Sequence, residues 1–308
     1  MPARLNMHFK NLDLNLLVAL DALLTQRSVT RAAERLHLSQ SATSGALARL
    51  RDVFSDEILV QVGHEMIPTP LAESLTDPVR NILLQVESLM TKNPAFSPEK
   101  TTRSFRLMMS DYVATILMPE VLRRVQTIAP SLTVEILSNA DRPIEALDRG
   151  EIDLLIAPKQ FLSPAHPSVE LFQDGYVCLV SSENQSIDSS ISLEQYLQAG
   201  HVAVRLGEQP VVSIDELFFE RAGHKRRVEV GAMAFNLLPQ LVIGTSRIAT
   251  VPAALARAVT KSLPLRILPP PVEMPQLVES MQWHKYRDLD PGGMWLRQVL
   301  LDVAGGLD

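Results

Sequence analysis

Gln40, Ser41, Thr43, Ser44 and Arg49 fall within one short stretch and carry hydroxyl and amide groups plus one long cation. Set along a helix, those types are the inventory needed to touch base edges and phosphate oxygens in a DNA major groove. Ser39 just before them suits a helix N-cap. Arg31, Ser39, Arg51 and His64 complete the candidate DNA-contact set. Enzyme chemistry has no comparable signature. The chain has no G-x-S-x-G elbow, no Walker loop and no H-E-x-x-H, and no two of its histidines stand three or four residues apart. The charged runs RAAERL and HKRR read as solvated helix faces or ends.

The elements that must position those residues follow from periodicity. Leu16, Leu17, Leu20, Leu23 and Leu24 recur at helical spacing, predicting an amphipathic helix over 13–25. A second short helix fits 29–36, with Ser28 as its cap. After the break at His37-Leu38-Ser39 comes a third, with Ala42, Ala46, Leu47 and Leu50 expected inward and Thr43 outward. Two short helices joined by a tight turn make a helix-turn-helix, with an ordinary helical bundle as the competing reading. Ile58, Val60 and Val62 then alternate before a turn at Gly63-His64, which predicts a two-stranded wing.

Here the chain resembles the LysR family of transcription regulators. The resemblance rests on DLNLLVALDALLTQRSVTRAAERLHLSQSATSGALARLRDVFSDEILV followed by MIPTPLAESL, where the AAERLHLSQ turn, the RLR helix end, DEIL and the PTP exit occur in order. Three positions depart from the family pattern: Ser41 stands where Pro is usual, Gly45 sits inside the recognition helix, and Gln61 replaces the usual wing Arg. An interior Gly costs a helix about 1 kcal/mol relative to Ala. These changes bear on the strength of DNA contact.

The resemblance and the periodicities together divide the chain. Residues 1–68 form a winged helix-turn-helix, 69–91 a linker helix, 92–104 a hinge, and 105–308 an effector-binding domain. Lobe I is assigned 105–178 and 280–308, and lobe II 179–279. The fold class expected is α/β: an N-terminal all-α winged helix-turn-helix, a linker helix, and a two-lobed, periplasmic-binding-protein-like α/β effector domain. Leu71, Leu75, Val79, Ile82, Leu83, Val86, Leu89 and Met90 step by three and four, a seam that suggests pairing of two subunits. Packing on the chain's own body is the alternative. Pro78 either caps a fresh helix or kinks a longer one. Family resemblance implies a dimer that assembles further into a homotetramer, with promoter DNA, a small-molecule effector and RNA polymerase as partners.

From residue 104 onward short apolar strands alternate with helical segments: SFRLMMS, LTVEIL, IDLLIA, YVCLV, HVAV, RVEV, RIATVP and LRIL. That is the rhythm of a doubly wound unit, whose ligands bind beyond the carboxyl ends of the strands. Ser110 and Asp111 stand where a helix N-terminus favours an anion, and Leu117 lies on that helix. Asn139, Asp174, His201, Val204, Arg205, Phe235 and Thr250 fall near other element ends. Arg205 would pair a carboxylate or phenolate, and Phe235 would stack on a ring or serve as ordinary core. Structural roles compete for His201 and for Asp174. The C-terminal QWHKYRDLDPGGMWLRQVLLD, with DGYVCLV and RIATVP, resembles the subgroup of nodulation and naphthalene-degradation regulators. That resemblance implies an aromatic acid or phenolic effector and no cofactor.

The net charge is −6, but residues 1–54 hold seven basic groups against four acidic ones, a mildly basic head on an acidic body. The longest early apolar run is too short to span a bilayer and no cleavage site follows it, so a cytoplasmic location without membrane association is expected. A single cysteine, Cys178, excludes an internal disulfide and a cysteine-based metal site. Two rivals remain: a non-enzymatic solute-binding α/β protein, and a redox-responsive regulator of the same fold.

Overall fold

The computed structural model describes residues 13–63, 65–90, 96–138, 142–205 and 213–307. The chain divides into two compact units, one of residues 1–91 with 148–150, the other of 92–147 and 151–308. In the first, three helices follow one another: α1 (Leu14–Gln26), α2 (Val29–Leu36) and α3 (Gln40–Phe54). Asp13, Ser28 and Ser39 cap them, each accepting from a backbone N–H in the first turn. Each helix ends on a left-handed residue, Arg27, His37 and Ser55 in turn. The strands β1 (Leu59–Val62) and β2 (Glu65–Pro68) form an antiparallel pair, with Gly63 supplying the positive φ its tight turn needs.

The core of this unit gathers Leu16, Leu20, Leu23 and Leu24 of α1 with Ala32, Ala46, Leu47, Leu50, Ile58 and Leu59. Helix α4 (Pro70–Met90) runs unbroken through Pro78 and adds Ala72 and Val79 to that core. Asp56 ties the wing to the start of α4, because its carboxylate accepts from Ile58 N at 2.7 Å and Thr69 Oγ1 at 2.6 Å. Thr69 Oγ1 in turn accepts from Ala72 N at 3.1 Å, so one carboxylate and one hydroxyl close the first turn of the helix.

The second unit contains two five-stranded sheets. The first is built from β3 (Ser104–Met109), β4 (Thr133–Ser138), β5 (Leu154–Pro158) and β6 (Ser168–Asp174), with α5 (Asp111–Ile128) and α6 (Pro143–Asp148) between them. The second holds β7 (Tyr176–Ser181), β8 (Gly200–Val204), β9 (Arg227–Ala232), β10 (Ile248–Pro252) and β11 (Leu265–Leu268). Its helices are α7 (Leu193–Gln198), α8 (Ile214–Arg221), α9 (Leu238–Val242) and α10 (Ala253–Val259). The chain then returns to the first sheet as β12 (Leu277–Gln282) and closes with α11 (Pro291–Ala304). The strand orders are β4-β3-β5-β12-β6 and β11-β7-β10-β8-β9.

All eight strands anticipated from the apolar runs are present, and two others, β6 and β12, pair antiparallel to each other. Strand pairing also shifts the lobe limits. The crossing lies at Gly175 rather than 178, because β7 already pairs with β10 from Tyr176, and the return is complete at Leu277 rather than 280. Phe105, Leu107 and Met109 of β3 pack with Val113, Leu117 and Val121 of α5 and Leu296 and Leu300 of α11 in the lobe I core.

Candidate functional site

On α3, Gln40, Ser41, Ser44 and Arg49 are exposed, together with Ala42, Gly45 and Ala48. The buried stripe is Thr43, Ala46, Leu47 and Leu50. Thr43 and Ala42 therefore exchange the places expected of them. The helical period puts Thr43 in line with Leu47 and Leu50, and its hydroxyl is satisfied there by Ser39 O at 3.2 Å. The exposed face is consequently shallow. A side chain added at Gly45 would meet nothing within 4 Å, so this glycine is not there to relieve an internal clash. Ser39 is occupied as the cap, with Oγ 3.1 Å from Ala42 N. Arg31 is exposed on α2. Arg51 braces the wing: its guanidinium donates to Glu57 O at 2.9 Å and Leu59 O at 3.1 Å and pairs with the Glu57 carboxylate at 3.1 Å. His64 lies outside the described residues.

The leucine-rich seam on α4 resolves into two faces. Val79 is buried in the winged-helix core, and Leu75 and Leu83 pack against it. Ile82, Leu89 and Met90 are exposed at 42%, 66% and 79%, and Val86 is partly so. Ile82, Val86, Leu89 and Met90 thus stay off that core, while Leu75, Val79 and Leu83 hold the helix to its own head. Asp21 adds a polar link, accepting from Arg80 of α4 and lying 3.7 Å from Arg35 of α2.

In the second unit a cavity of about 260 Å³ opens between the two sheets, just below the ~300–1,000 Å³ usual for ligand clefts. From the first lobe it is lined by Ser110, Tyr112, Leu155, Ala157, Phe161, Leu277 and Glu279, and from the second by Tyr176, Val204, Ser213, Ile214, Asp215 and Phe235. Arg142, Pro143 and Pro158 complete the wall. Of the effector-site candidates, Ser110, Val204 and Phe235 are brought together there. Ser110 Oγ caps α5 from 3.2 Å, and the ring of Phe235 tilts against Tyr112 at a centroid distance of 6.1 Å.

Other candidates serve as fastenings. The Asp111 carboxylate accepts from the backbone N–H of Phe235 at 3.0 Å and Asn236 at 2.7 Å, clasping lobe II to the start of α5. Asp174 accepts from Tyr112 Oη at 2.7 Å, Gly175 N at 2.9 Å and Ala254 N at 3.0 Å, which binds the crossing to both lobes. Leu117 is fully buried in the lobe I core. His201 and Thr250 meet Tyr196 inside lobe II, at 2.7 Å to its carbonyl and 2.6 Å to its hydroxyl. Arg205 pairs with Glu216 at 2.8 Å and does not line the cavity. Asn139 lies outside the described residues.

Burial tunes the ionisable groups of this unit. Glu279 is pushed up to about 8, chiefly by desolvation and then by the charge of Asp174. Desolvation also raises Tyr112 and Tyr176 well above the ordinary phenol range, so both remain hydroxyl donors. His201 falls to about 4 and is neutral. The thiol of Cys178 is fully buried and raised to about 12 by that burial, a state without thiolate reactivity. Asp215 lines the cavity but accepts from Arg226 at 2.7 Å, deep in lobe II.

Sequence reasoning did not single out Tyr112, Tyr176, Ser213, Asp215 or Glu279. Tyr176 sits in the quoted DGYVCLV run, but nothing in linear spacing joins β12 to α8.

Residues 14–73 match the model of the bacterial regulatory helix-turn-helix protein, lysR family, and residues 98–305 match the LysR substrate binding domain. The chain is 40% identical over 301 residues to Nodulation protein D 1 of Bradyrhizobium diazoefficiens, covering 98% of this chain and 96% of that protein. It is 43% identical over 298 residues to Nodulation protein D 1 of Mesorhizobium japonicum, covering 97% and 95%. Among solved structures, a probable transcriptional regulator of Pseudomonas aeruginosa aligns with a TM-score of 0.66 at 30% identity, over 96% of this chain and 98% of that one. Among the described residues, no helix is long and apolar enough to cross a membrane.

Proposed function

The chain belongs to the LysR family of DNA-binding transcription regulators, and from that premise we propose that α3 reads its operator while the inter-lobe cavity takes a small aromatic effector. The observation that carries the first half is the shallow exposed face of α3, where Gln40, Ser41, Ser44 and Arg49 surround the small Ala42, Gly45 and Ala48. Small residues let a helix approach the groove floor closely, and Gln and Arg then reach base edges. Arg31 would add a phosphate contact that sets register.

The second half rests on the lining of the cavity. Phe161, Phe235, Tyr112 and Tyr176 supply ring surfaces for an aromatic guest, and the chain is 40% and 43% identical to two nodulation proteins. Subunits pair through Ile82, Val86, Leu89 and Met90 of α4, and higher assembly and contact with RNA polymerase follow the family pattern. Cys178 gives the redox alternative no support, since its thiol stays protonated and buried.

Mapping of bound DNA across the source genome, with and without phenolic compounds, tests the reading as a whole. Arg49→Ala with Gln40→Ala in the full chain is expected to lower operator affinity by about 1–3 kcal/mol per lost base contact and to relax specificity at those base pairs. An unchanged footprint from a folded double variant would remove α3 from the DNA interface.

A further inference from the structure

We infer that Glu279 and Ser213 are the effector's two polar anchors, one on each lobe, and that they select an uncharged hydroxylated aromatic over a carboxylated one. This rests on the reading of the cavity as an aromatic effector site and gives that site its polar chemistry. Both residues line the cavity, Glu279 from β12 and Ser213 at the N-terminus of α8. Glu279 is 2% exposed, and its Oε2 has no hydrogen-bond partner among the described residues. The hydroxyl of Ser213 is likewise buried and without a partner, although it occupies a cap position. A buried polar atom left unpaired costs about 1–3 kcal/mol, so a guest that pairs both of these cavity-lining residues relieves that cost.

The surroundings decide the charge of that guest. Among the described residues, each arginine near the cavity has a carboxylate of its own: Arg142 with Glu145 at 3.2 Å, Arg205 with Glu216 at 2.8 Å and Arg226 with Asp215 at 2.7 Å. The N-terminus of α5, where an anion would otherwise sit, already carries the Asp111 carboxylate in its first turn and is capped by Ser110. The ionisable groups that act on Glu279 are Asp174 on β6, Tyr112 on α5 and Tyr176 on β7, and Asp215 on α8 and Arg142 line the same cavity. Apart from Arg142, which Glu145 already pairs, these are carboxylates and phenols, which do not compensate an incoming negative charge. A pKa of about 8 keeps Glu279 a carboxylic acid at neutral pH, able both to donate to and to accept from a phenolic hydroxyl. Of the lining side chains only Arg142 is cationic, and Glu145 pairs with it at 3.2 Å, so an aromatic carboxylate would have to displace that partner as well as shed its hydration.

Calorimetry on the full-length chain with methyl ferulate, ferulate and apigenin tests this. The acid and its methyl ester share one ring and one phenol and differ in charge. The ester and apigenin are expected to bind, and ferulate to bind about tenfold more weakly or worse, the size of effect an unpaired buried group produces. Glu279→Gln, a neutral isostere, is expected to keep ester binding within about threefold, whereas Glu279→Leu and Ser213→Ala each lose about fivefold or more. At pH above 8 the wild type loses ester affinity relative to Glu279→Gln, and ionisation of the ligand's own phenol cancels in that comparison. Equal affinity for ferulate and its ester, or wild-type affinity in folded Glu279→Leu, overturns the anchor assignment and leaves the aromatic site standing. Binding of none of the three overturns the aromatic reading and the anchors with it.

Discussion

Replacing Glu279 with Gln should stabilise the second unit, and by an amount that grows with pH. The unfolded carboxyl titrates near 4.5, and the folded one at about 8. Between those values folding takes up a proton, so the native state binds more protons than the unfolded one and stability falls as pH rises. The contribution is therefore fully present below pH 4.5 and lost progressively up to about pH 8, the reverse of a salt-bridged carboxylate. With about 1.4 kcal/mol for each tenfold change in proton affinity, the cost is about 1 kcal/mol at pH 5.5 and about 4–5 kcal/mol at pH 8.5. Gln titrates in neither state. Glu279→Gln should thus gain about 3 kcal/mol on the wild type between those two pH values. Urea unfolding followed by tryptophan fluorescence reads this unit, because both tryptophans of the chain, Trp283 and Trp295, belong to it. His201 pulls the other way, its lowered pKa making stability rise between about pH 4 and 6.5, but it is common to both proteins and cancels. A stability difference independent of pH, or one that shrinks toward alkaline pH, would refute the assignment of Glu279 as a buried, uncompensated acid.

The two faces of α4 should separate genetically. Ile82→Asp with Leu89→Asp is expected to halve the mass seen by light scattering at micromolar concentration while the head stays folded, since each buried aliphatic side chain contributes about 1.5–3 kcal/mol to pairing. Leu83→Asp should instead lower helical content by circular dichroism, and an unchanged mass in the first variant would deny α4 its role. The buried pair of Arg226 and Asp215, with side chains 2% and 6% exposed, should behave non-additively. Arg226→Met alone is expected to cost about 3–5 kcal/mol, and the double change with Asp215→Leu to recover most of it; a double variant no more stable than the single one would show that the pair does not stand alone.

Much of the head was legible because its signals are local. A hydroxyl before a helix, a leucine stripe and a glycine turn each act within a few residues, and Ser28, Ser39 and Gly63 do what their types imply. The exchange of Thr43 with Ala42 shows where residue type misleads, since a threonine that bonds back to Ser39 O can fill a core position. On α4 the leucines alone could not say which neighbour covers them. Val79 and Leu83 lie on one face and Ile82 and Leu89 on another, and only the winged-helix core distinguishes the two. The effector site was harder. Strand β12 is buried, yet Glu279, Ser280 and Gln282 interrupt its apolar pattern, so it does not read as a core strand. Arg205 looked available because its partner Glu216 is supplied by a helix folded back upon it, a pairing that no linear spacing announces.

What an effector must do in this cleft is constrained by the fastenings already there. Asp111 holds Phe235 and Asn236, and Asp174 holds Tyr112 and Ala254, so the lobes are joined by hydrogen bonds of their own. A ligand moves the balance between two arrangements only by binding one of them better. A guest that touched lobe I alone would keep all its contacts when lobe II shifted, and its affinity would be spent equally on both states. Contacts that change with lobe position are the ones made across the gap. Glu279 and Ser213 stand on different lobes, so a guest hydrogen-bonded to both loses one partner whenever the lobes part. Each such loss in a buried site is worth about 1–3 kcal/mol, whereas a shift from one part in a hundred to ninety-nine needs about 5.5 kcal/mol. The two anchors therefore supply part of the switching energy, and the remainder must come from ring surfaces such as Phe161 and Phe235, which close on the guest from opposite lobes.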